Sequence, residues 1–383
     1  MAVPTHRPEA QRVDAWFEWA TDDHGYTVGA EEEFMLVHPP GWGLAQTVET
    51  VLPSLPPKLA RDVQGETHGS ALEIGSAPHR TVAEVEDELR SLRRQLTEVL
   101  EPMGLRAASA GTHPFAVWHD TVVSSGERYQ AVYGSMRELA RREPTFALHV
   151  HVGVPDPEDA IGLLNRMRAH IPLLLALSAN SPFWQGRDSG LASARTPLFQ
   201  AFPRVGIPRV FNDYSDYVEA VDLLVRCGSI PEPTFLWWDV RPQPRFGTVE
   251  VRIMDAQARV EQTAAIAALV QSIARLEIES GYVTAKTIWA AEVLDENRFL
   301  AARDGMDAEL IDVDTETRVP ARDMLEDLLR ACEPHAEALG CADELARVRD
   351  LAGKTGADRQ LELADDEDRL PGLVETLADA FVS

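Results

Sequence analysis

The sequence predicts an α+β fold: a mainly antiparallel six-stranded sheet, helices packed on its outer face, and a helical C-terminal region. Three observations lead there. Six stretches carry the signals of a strand, at roughly 26–37, 70–77, 105–111, 146–153, 234–240 and 247–254. Helical segments separate some of these strands but not all, so the strict alternation of a doubly wound parallel sheet is missing. From residue 256 onward the pattern is almost wholly helical, with Pro320 and Pro334 read as boundaries.

The helices follow from their punctuation. Residues 81–102 open on Thr81 and Glu84, a capping-box pair, and close at Pro102 and Gly104. Further helices are expected over 126–142, stopped by Pro144, over 157–179, kinked at Pro172, and over 214–227. The stretch 180–212 is long, aperiodic and rich in Pro, Gly and Arg, and loops of that length in a packed domain tend to be functional.

Bulk properties exclude several classes. A chain of 383 residues can bury a substantial core, and 45% hydrophobic with 26% charged residues is the balance of an ordinary folded protein. A formal net charge of -26 argues against a surface built for phosphate backbones. Cys227, Cys332 and Cys341 form no CxxC pair and are odd in number, which disfavours a disulfide framework or a zinc site. The N-terminal residues lack the apolar run of a leader, and the apolar run Ile171 to Ala179 is too short to cross a bilayer. The expected location is cytoplasmic, with no nucleic acid or membrane as partner. GKT at 353–355 has Val348 where a phosphate loop needs glycine, so that reading is set aside.

Side chains alternate across a strand, so parity shows which residues share a face. In YTVGAEEEFMLV, Tyr26, Val28, Glu32, Phe34 and Leu36 share one face, and Glu31 and Glu33 the other. In FALHVHVGV, an apolar face of Phe146, Leu148, Val150, Val152 and Val154 opposes His149 and His151. In TVEVRIMD, Val249, Val251 and Ile253 oppose Glu250, Arg252 and Met254; in SALEIGS, Leu72 and Ile74 oppose Glu73. Glu66 stands seven residues before Glu73, so it shares that face only if a bend intervenes. One sheet with an apolar back would then carry four carboxylates, two imidazoles and an arginine on its front, too much charge to bury without partners. Taken singly, Glu-x-Glu, His-x-His and Glu-x-Arg are most often surface features. Taken jointly they suggest divalent cations, and a carboxylate-rich set without thiolates suits magnesium, or manganese, better than zinc. Such a set would hold a nucleoside triphosphate, with Arg252 neutralising the transferring phosphoryl group.

At these residues the chain resembles the glutamine synthetase-like ligases, and among them the glutamate–cysteine ligase type 2, or carboxylate–amine ligase, family. The resemblance rests on VGAEEEFMLV, ETHGSALEIGSAP, AGTHPF, HVHVGV, ANSPFWQGRDSGLASAR and VEVRIMDAQ, in that order, across roughly residues 26 to 290. It implies a curved sheet forming a bowl, within a catalytic domain over 1–290 and a helical extension over 291–383. It implies Glu31, Glu33, Glu66, Glu73, His149 and Glu250 as metal ligands, and Arg252 as a phosphate contact on the ATP side. His151 is expected beside the cofactor, though neither it nor His113 receives a firm role. Arg187 and Arg195 are expected to meet a substrate carboxylate or a phosphate.

The implied reaction moves the γ-phosphate of ATP to a carboxylate and lets an amine displace phosphate, with glutamate and cysteine as the family's namesake substrates and a homodimer as its assembly. Another amino acid and amine pair is the alternative within the same chemistry. The rival readings are a metal-dependent hydrolase built on His149 and His151, and a non-catalytic nucleotide-binding relative.

Overall fold

In the computed structural model, which describes residues 16–21, 25–141, 144–364 and 366–383, a single large sheet organises the chain. The residues read above for a leader fall mostly in 1–15, outside the described residues. The sheet contains β1 (Val28–His38), β2 (Gly43–Leu44), β3 (Val63–Gly65), β4 (Ala71–Gly75), β5 (Arg106–Ala108), β6 (Leu148–Gly153), β7 (Val240–Gln243) and β8 (Thr248–Val251). Its main path runs β7–β8–β6–β1–β4–β3, with β2 and β5 also paired to β1, and every pairing is antiparallel.

The α+β architecture is as expected; the strand count is eight rather than six. The two extra strands, β2 and β3, are two and three residues long, too short for alternation to register. The strand expected over 234–240 starts only at Val240 and ends at Gln243, while Trp237–Trp238 pairs elsewhere, in parallel with Val205–Gly206. Pro242 and Pro244 read as breakers, but β7 is an edge strand, where an absent N–H need cost no ladder bond. Gly247, at φ 63° in the turn from β7 to β8, stands so close to the Ala20 carbonyl that any Cβ would collide with it.

The helices are α1 (Val82–Leu100), α2 (Glu127–Met136), α3 (Pro157–Ser178), α4 (Tyr214–Arg226), α5 (Val260–Ser280), α6 (Ala291–Asp304), α7 (Ala321–Leu339) and α8 (Leu370–Phe381), with shorter turns between. Thr81 and Glu84 form the expected capping box. After α2 a 3₁₀ turn, Arg137–Arg141, follows, and residue 142 of the expected helix lies outside the described residues. α3 continues through Pro172. Pro334 is not a boundary but lies inside α7. An interior proline costs about 3 kcal/mol; here Leu325, Leu328, Leu329, Cys332 and Ala336 bury one stripe across it and hold the helix together. The helical tail also contains a hairpin, Glu309–Asp312 with Thr317–Pro320. Thr355, from the GKT triplet, caps the helix Gly356–Leu363.

The apolar back of the sheet packs on α1, α3 and α5 in one core, which α6 and α7 join through Leu300, Leu325, Leu328 and Leu329. Each fully buried Leu or Val there contributes about 1.5–3 kcal/mol. On the front, Met35 and Val37 continue the face of Glu31 and Glu33 but are covered by Leu370, Leu373, Val374 and Leu377 of α8. The remaining front stays open as a cavity. No helix among the described residues is long and apolar enough to cross a membrane.

Candidate active site

The cavity over the open front of the sheet has a volume of about 420 Å³ and is walled by α2, the turn after β3, and the loops before and after β7. Cross-strand register builds its floor. Glu250 on β8 stands opposite His151 on β6 and Arg241 on β7. His149 stands opposite Glu31, Glu33 opposite Glu73, and Glu73 opposite Gln64. Opposed residues on one face have Cβ atoms about 4.5–5.5 Å apart, so the ligand-bearing side chains converge without any loop having to place them. Glu66 follows β3 and lies in the turn before β4, the bend its seven-residue offset from Glu73 required. Its carboxylate accepts from the Thr67 amide at 2.9 Å.

Among the described residues three overlapping groups could each hold a cation: Glu31, Glu73 and His149; Glu31, His151 and Glu250; and Glu33, Glu66 and Glu73. In each group one donor atom per residue lies within 4.8 Å of the others. His149 Nδ1 lies 3.2 Å from Glu31 Oε2, and its Nε2 is 3.7 Å from Glu33 Oε1. His151 Nδ1 is held by Thr248 Oγ1 at 3.0 Å. Among the described residues its buried Nε2 has no hydrogen-bond partner, yet it stands 3.5 Å from Glu31 and 3.9 Å from Glu250. An orphaned imidazole nitrogen between two carboxylates, oriented from behind by a hydroxyl, suits a metal ligand.

The charge is unevenly balanced. Burial would raise Glu250, but Arg241 and Arg252, then His151 and His149, outweigh it and hold the carboxyl well below its ordinary range. Burial would raise Glu31 as well, but the His151 charge and the hydrogen bond with His149 hold it down. Burial, with Arg252 beside it, pushes His149 down to about 4. Across the cavity the opposite holds. Burial, then the neighbouring Glu66, pushes Glu33 up to about 8. Burial, then Glu31, Glu66 and Glu33, drives Glu73 well above the carboxylate range, and burial raises Glu66. The Glu33–Glu66–Glu73 side therefore holds more carboxylate than the protein's own cations neutralise.

Three arginines reach the polar floor. Arg252 is ion-paired with Glu250. Arg195 is buried, and its guanidinium donates to the carbonyls of Ile253 at 2.8 Å and Arg252 at 3.1 Å. Arg241 grips Glu250 with Nε at 2.7 Å and Nη2 at 3.3 Å, and Gln243 donates to the same carboxylate at 2.7 Å.

All six expected metal ligands, together with His151, Arg195 and Arg252, line this one cavity; Arg187 does not. It is exposed on the two-residue strand Arg187–Asp188, which pairs with Phe183–Trp184 through a turn at Gln185 and Gly186, both of positive φ. Arg195 is drawn inward because Asp255, fully buried, stands 3.7 Å away and accepts from Ser181, whose hydroxyl receives the Arg195 amide. His113 is a packing residue: its Nε2 meets the Trp42 carbonyl at 2.9 Å, its Nδ1 accepts from the Ala116 amide at 3.0 Å, and burial pushes it down to about 4. Arg241 and Gln243 are missing from the expected set because the expected strand ends at residue 240, before both of them. Had β7 been allowed an edge proline, its pairing opposite Glu250 would have placed Arg241 in the site.

A family model described as glutamate-cysteine ligase family 2 matches residues 27–376. A protein of Rubrobacter xylanophilus named "Putative glutamate--cysteine ligase 2-1" is 42% identical over 347 residues, which is 90% of this chain and 92% of that protein. One of Sorangium cellulosum named "Putative glutamate--cysteine ligase 2" is 40% identical over 343 residues, 88% of this chain and 92% of its own. Among solved structures, the glutamate–cysteine ligase of Francisella tularensis in complex with AMP matches with a TM-score of 0.67 at 14% identity, covering 95% of this chain and 90% of that one. A bifunctional glutathione synthetase from Pasteurella multocida matches with the same TM-score of 0.67 at 14% identity, over 94% of this chain and 53% of its own. At that identity the two structures show a shared fold. With the family model and the relatives both spanning most of its length, the chain belongs to the glutamate–cysteine ligase family 2, a family of ATP-dependent ligases that join a carboxylate to an amine.

Proposed function

We propose that the chain joins the γ-carboxylate of glutamate to the amine of cysteine, converting ATP, glutamate and cysteine to γ-glutamylcysteine, ADP and phosphate. The observation that carries this reading is the set of three overlapping donor groups on one sheet face, with Arg252 and Arg195 in the same cavity. The donors are five carboxylates and two imidazoles, with no thiolate. That chemistry fits magnesium, with manganese as the alternative, and fits zinc poorly. Glu33, Glu66 and Glu73 would hold one cation, and Glu31, His149, His151 and Glu250 would share the others. Bound there, the cations would neutralise charge on the transferring phosphoryl group.

The chain's own residues position and neutralise. Arg252, held by Glu250, presents a guanidinium to the phosphoryl group as it leaves ADP for the γ-carboxylate. Arg195, buried and fixed on two carbonyls, stands ready for the same charge. The cysteine amine then attacks the acyl carbon and phosphate departs, so no protein nucleophile is required. A second chamber of about 390 Å³ adjoins the first, sharing Glu31, His151, Arg245 and Phe246 with it. Its walls are largely apolar and include Val28, Val154 and Pro155. We place the nucleoside of ATP there, because a flat aromatic base suits such walls and the triphosphate could then cross to the donor groups.

The hydrolase reading loses ground on the same donors. His149 and His151 are each flanked by carboxylates, and the later strands add arginines rather than further imidazoles. Purified protein incubated with Mg-ATP, glutamate and cysteine should release ADP and form a product of γ-glutamylcysteine mass, and neither should appear in EDTA. ADP release only with another acid or amine would keep the ligase and replace its substrates. No ATP turnover with any amino-acid pair would overturn the proposal.

A further inference from the structure

Six carboxylates line the main cavity, and five of them belong to the three donor groups. The sixth, Glu232, does not. Five arginines line it as well. Arg252 and Arg241 are committed to Glu250, and Arg195 to backbone carbonyls. Arg245 lies 5.9 Å from the Phe246 ring, between the two chambers. Arg128 is ion-paired with Glu232 across 104 residues of chain and donates to Thr234 Oγ1 at 3.0 Å. Two opposite charges in the cavity wall are thus left over from the phosphoryl-transfer set, and they meet each other.

Both are fixed to the site from opposite sides. Arg128 lies in the first turn of α2, where Tyr129 donates to the Gly65 carbonyl, while Ser124, just before the helix, donates to the Glu66 carbonyl at 2.7 Å. Glu232 precedes the turn Pro233–Phe235, whose Thr234 carbonyl accepts from Arg241 at 2.9 Å while Arg241 grips Glu250. One partner therefore hangs from the Glu66 side of the floor and the other from the Glu250 side. The pair is also more open than the rest of the charged set. The Arg128 and Glu232 side chains are 47% and 24% exposed, against 14% and 1% for Arg252 and Glu250. An ion pair so wet stabilises little, so exchanging its partners costs little.

We propose that Arg128 and Glu232 form the head-group pocket of an amino-acid substrate, the guanidinium taking the α-carboxylate and the Glu232 carboxylate taking the α-ammonium. This rests on the ligase reading above. A zwitterion offers the two charges that this pair offers in reverse, so its entry replaces one ion pair by two. A guanidinium fork binds a carboxylate bidentately, which gives direction as well as attraction. With the head group at the rim, the substrate's side-chain carboxylate can point to the floor, where the donor groups and Arg252 converge.

The test is discrimination between substrates, measured as ratios of kcat/KM from ADP release in Mg-ATP. Glutamate is compared with 4-aminobutyrate, which lacks the α-carboxylate, and with glutarate, which lacks the α-ammonium; cysteine is compared with cysteamine. A charge-assisted pair at so open a site should reject an analogue lacking its partner by on the order of 10². Arg128→Met should cut the preference over 4-aminobutyrate by on the order of 10² and raise KM far more than it lowers kcat. Glu232→Gln should do the same for glutarate. Arg128→Lys, keeping the charge without the fork, should fall between. If the head group is that of the amine substrate, Arg128→Met instead erases the preference for cysteine over cysteamine. Wild-type turnover with all three ratios unchanged in both variants, each shown folded by circular dichroism, overturns this inference and leaves the ligase reading intact. No turnover by the wild type with any pair overturns both.

Discussion

Glu32 and its two neighbours are the same residue type on consecutive positions of one strand, and they end in opposite circumstances. Glu32 points to the packed back of the sheet, where Arg93 meets it with Nε at 2.9 Å and Nη2 at 2.7 Å and Thr263 donates at 2.5 Å. Arg93 spends its other donors on the carbonyls of Ala258, Phe381 and Gln257, so all five guanidinium N–H groups are used. Its guanidinium also lies 4.5 Å from the Phe381 ring. Glu31 and Glu33 point to the front, where carboxylates crowd one another and an imidazole nitrogen has no hydrogen-bond partner among the described residues. A charge answered on every side holds a fold together. A charge left partly unanswered in a cavity is kept for a ligand, and the fold bears its cost.

That contrast can be broken by substitution. The largest expected effect is on the front: Glu31→Gln or Glu73→Gln should lower kcat by on the order of 10³ or more, about 4 kcal/mol, since each serves two of the three donor groups. Glu73→Gln should leave the metal-free melting temperature unchanged or raise it, because burial and three neighbouring carboxylates already push that carboxyl well above its ordinary range. Full activity in both variants would sink the assignment of the cavity. On the back the signature reverses. Arg93→Met leaves Glu32 buried without its partner and should cost about 3–5 kcal/mol of stability, read as a lower midpoint in urea. The KM for ATP, measured well below the melting temperature, should move less than about threefold. Adding Glu32→Gln to Arg93→Met should recover part of the loss. A folded Arg93→Met protein with no activity would show that the back pair belongs to the chemistry.

Much of this contrast was legible before any coordinates. The parity of YTVGAEEEFMLV separates Glu32 from Glu31 and Glu33, and the parity of FALHVHVGV turns both imidazoles to the same side. Parity is decisive here because strands with one fully apolar face leave no freedom about which way the others point. The bend before Glu66 followed from an odd offset. What parity cannot supply is the partner: nothing in the residues around Arg93 says that it crosses the sheet's back to Glu32, 61 residues away. Arg241 lies just past the expected 234–240 strand, beside prolines that an edge strand tolerates, and a loop has no periodicity to separate Arg187 from Arg195. The pair of Arg128 and Glu232 is invisible in the sequence as well, since one lies in the first turn of a helix, the other precedes a distant turn, and they meet only through the fold.

The smallest effect divides the cavity itself and is read in pH. Glu33 is pushed up to about 8 from 4.5, so its folded form keeps a proton that the unfolded chain has already released between those values. Its contribution to stability is therefore full below about pH 4.5 and lost as the pH rises to about 8. Glu250 and Glu31 are shifted down, so their contribution is present above the ordinary carboxylate pKa and is lost only in more acidic solution. Below about pH 7 the depressed His149 and His113 slope the other way, since they take up protons only on unfolding. Between about pH 7 and about pH 8.5 the Glu33 side should therefore set the slope, and the metal-free protein in EDTA should melt at progressively lower temperature. A cation there favours the ionised carboxylates, so magnesium should raise the melting temperature more at the alkaline end than at the acid end. Glu33→Gln should flatten both trends, while Gln64→Ala, which removes an uncharged neighbour of Glu73, should leave the direction of both unchanged. Equal magnesium stabilisation at both ends of the range, with Glu33→Gln matching the wild type, would mean that the cation sits on the Glu31–His151–Glu250 side alone.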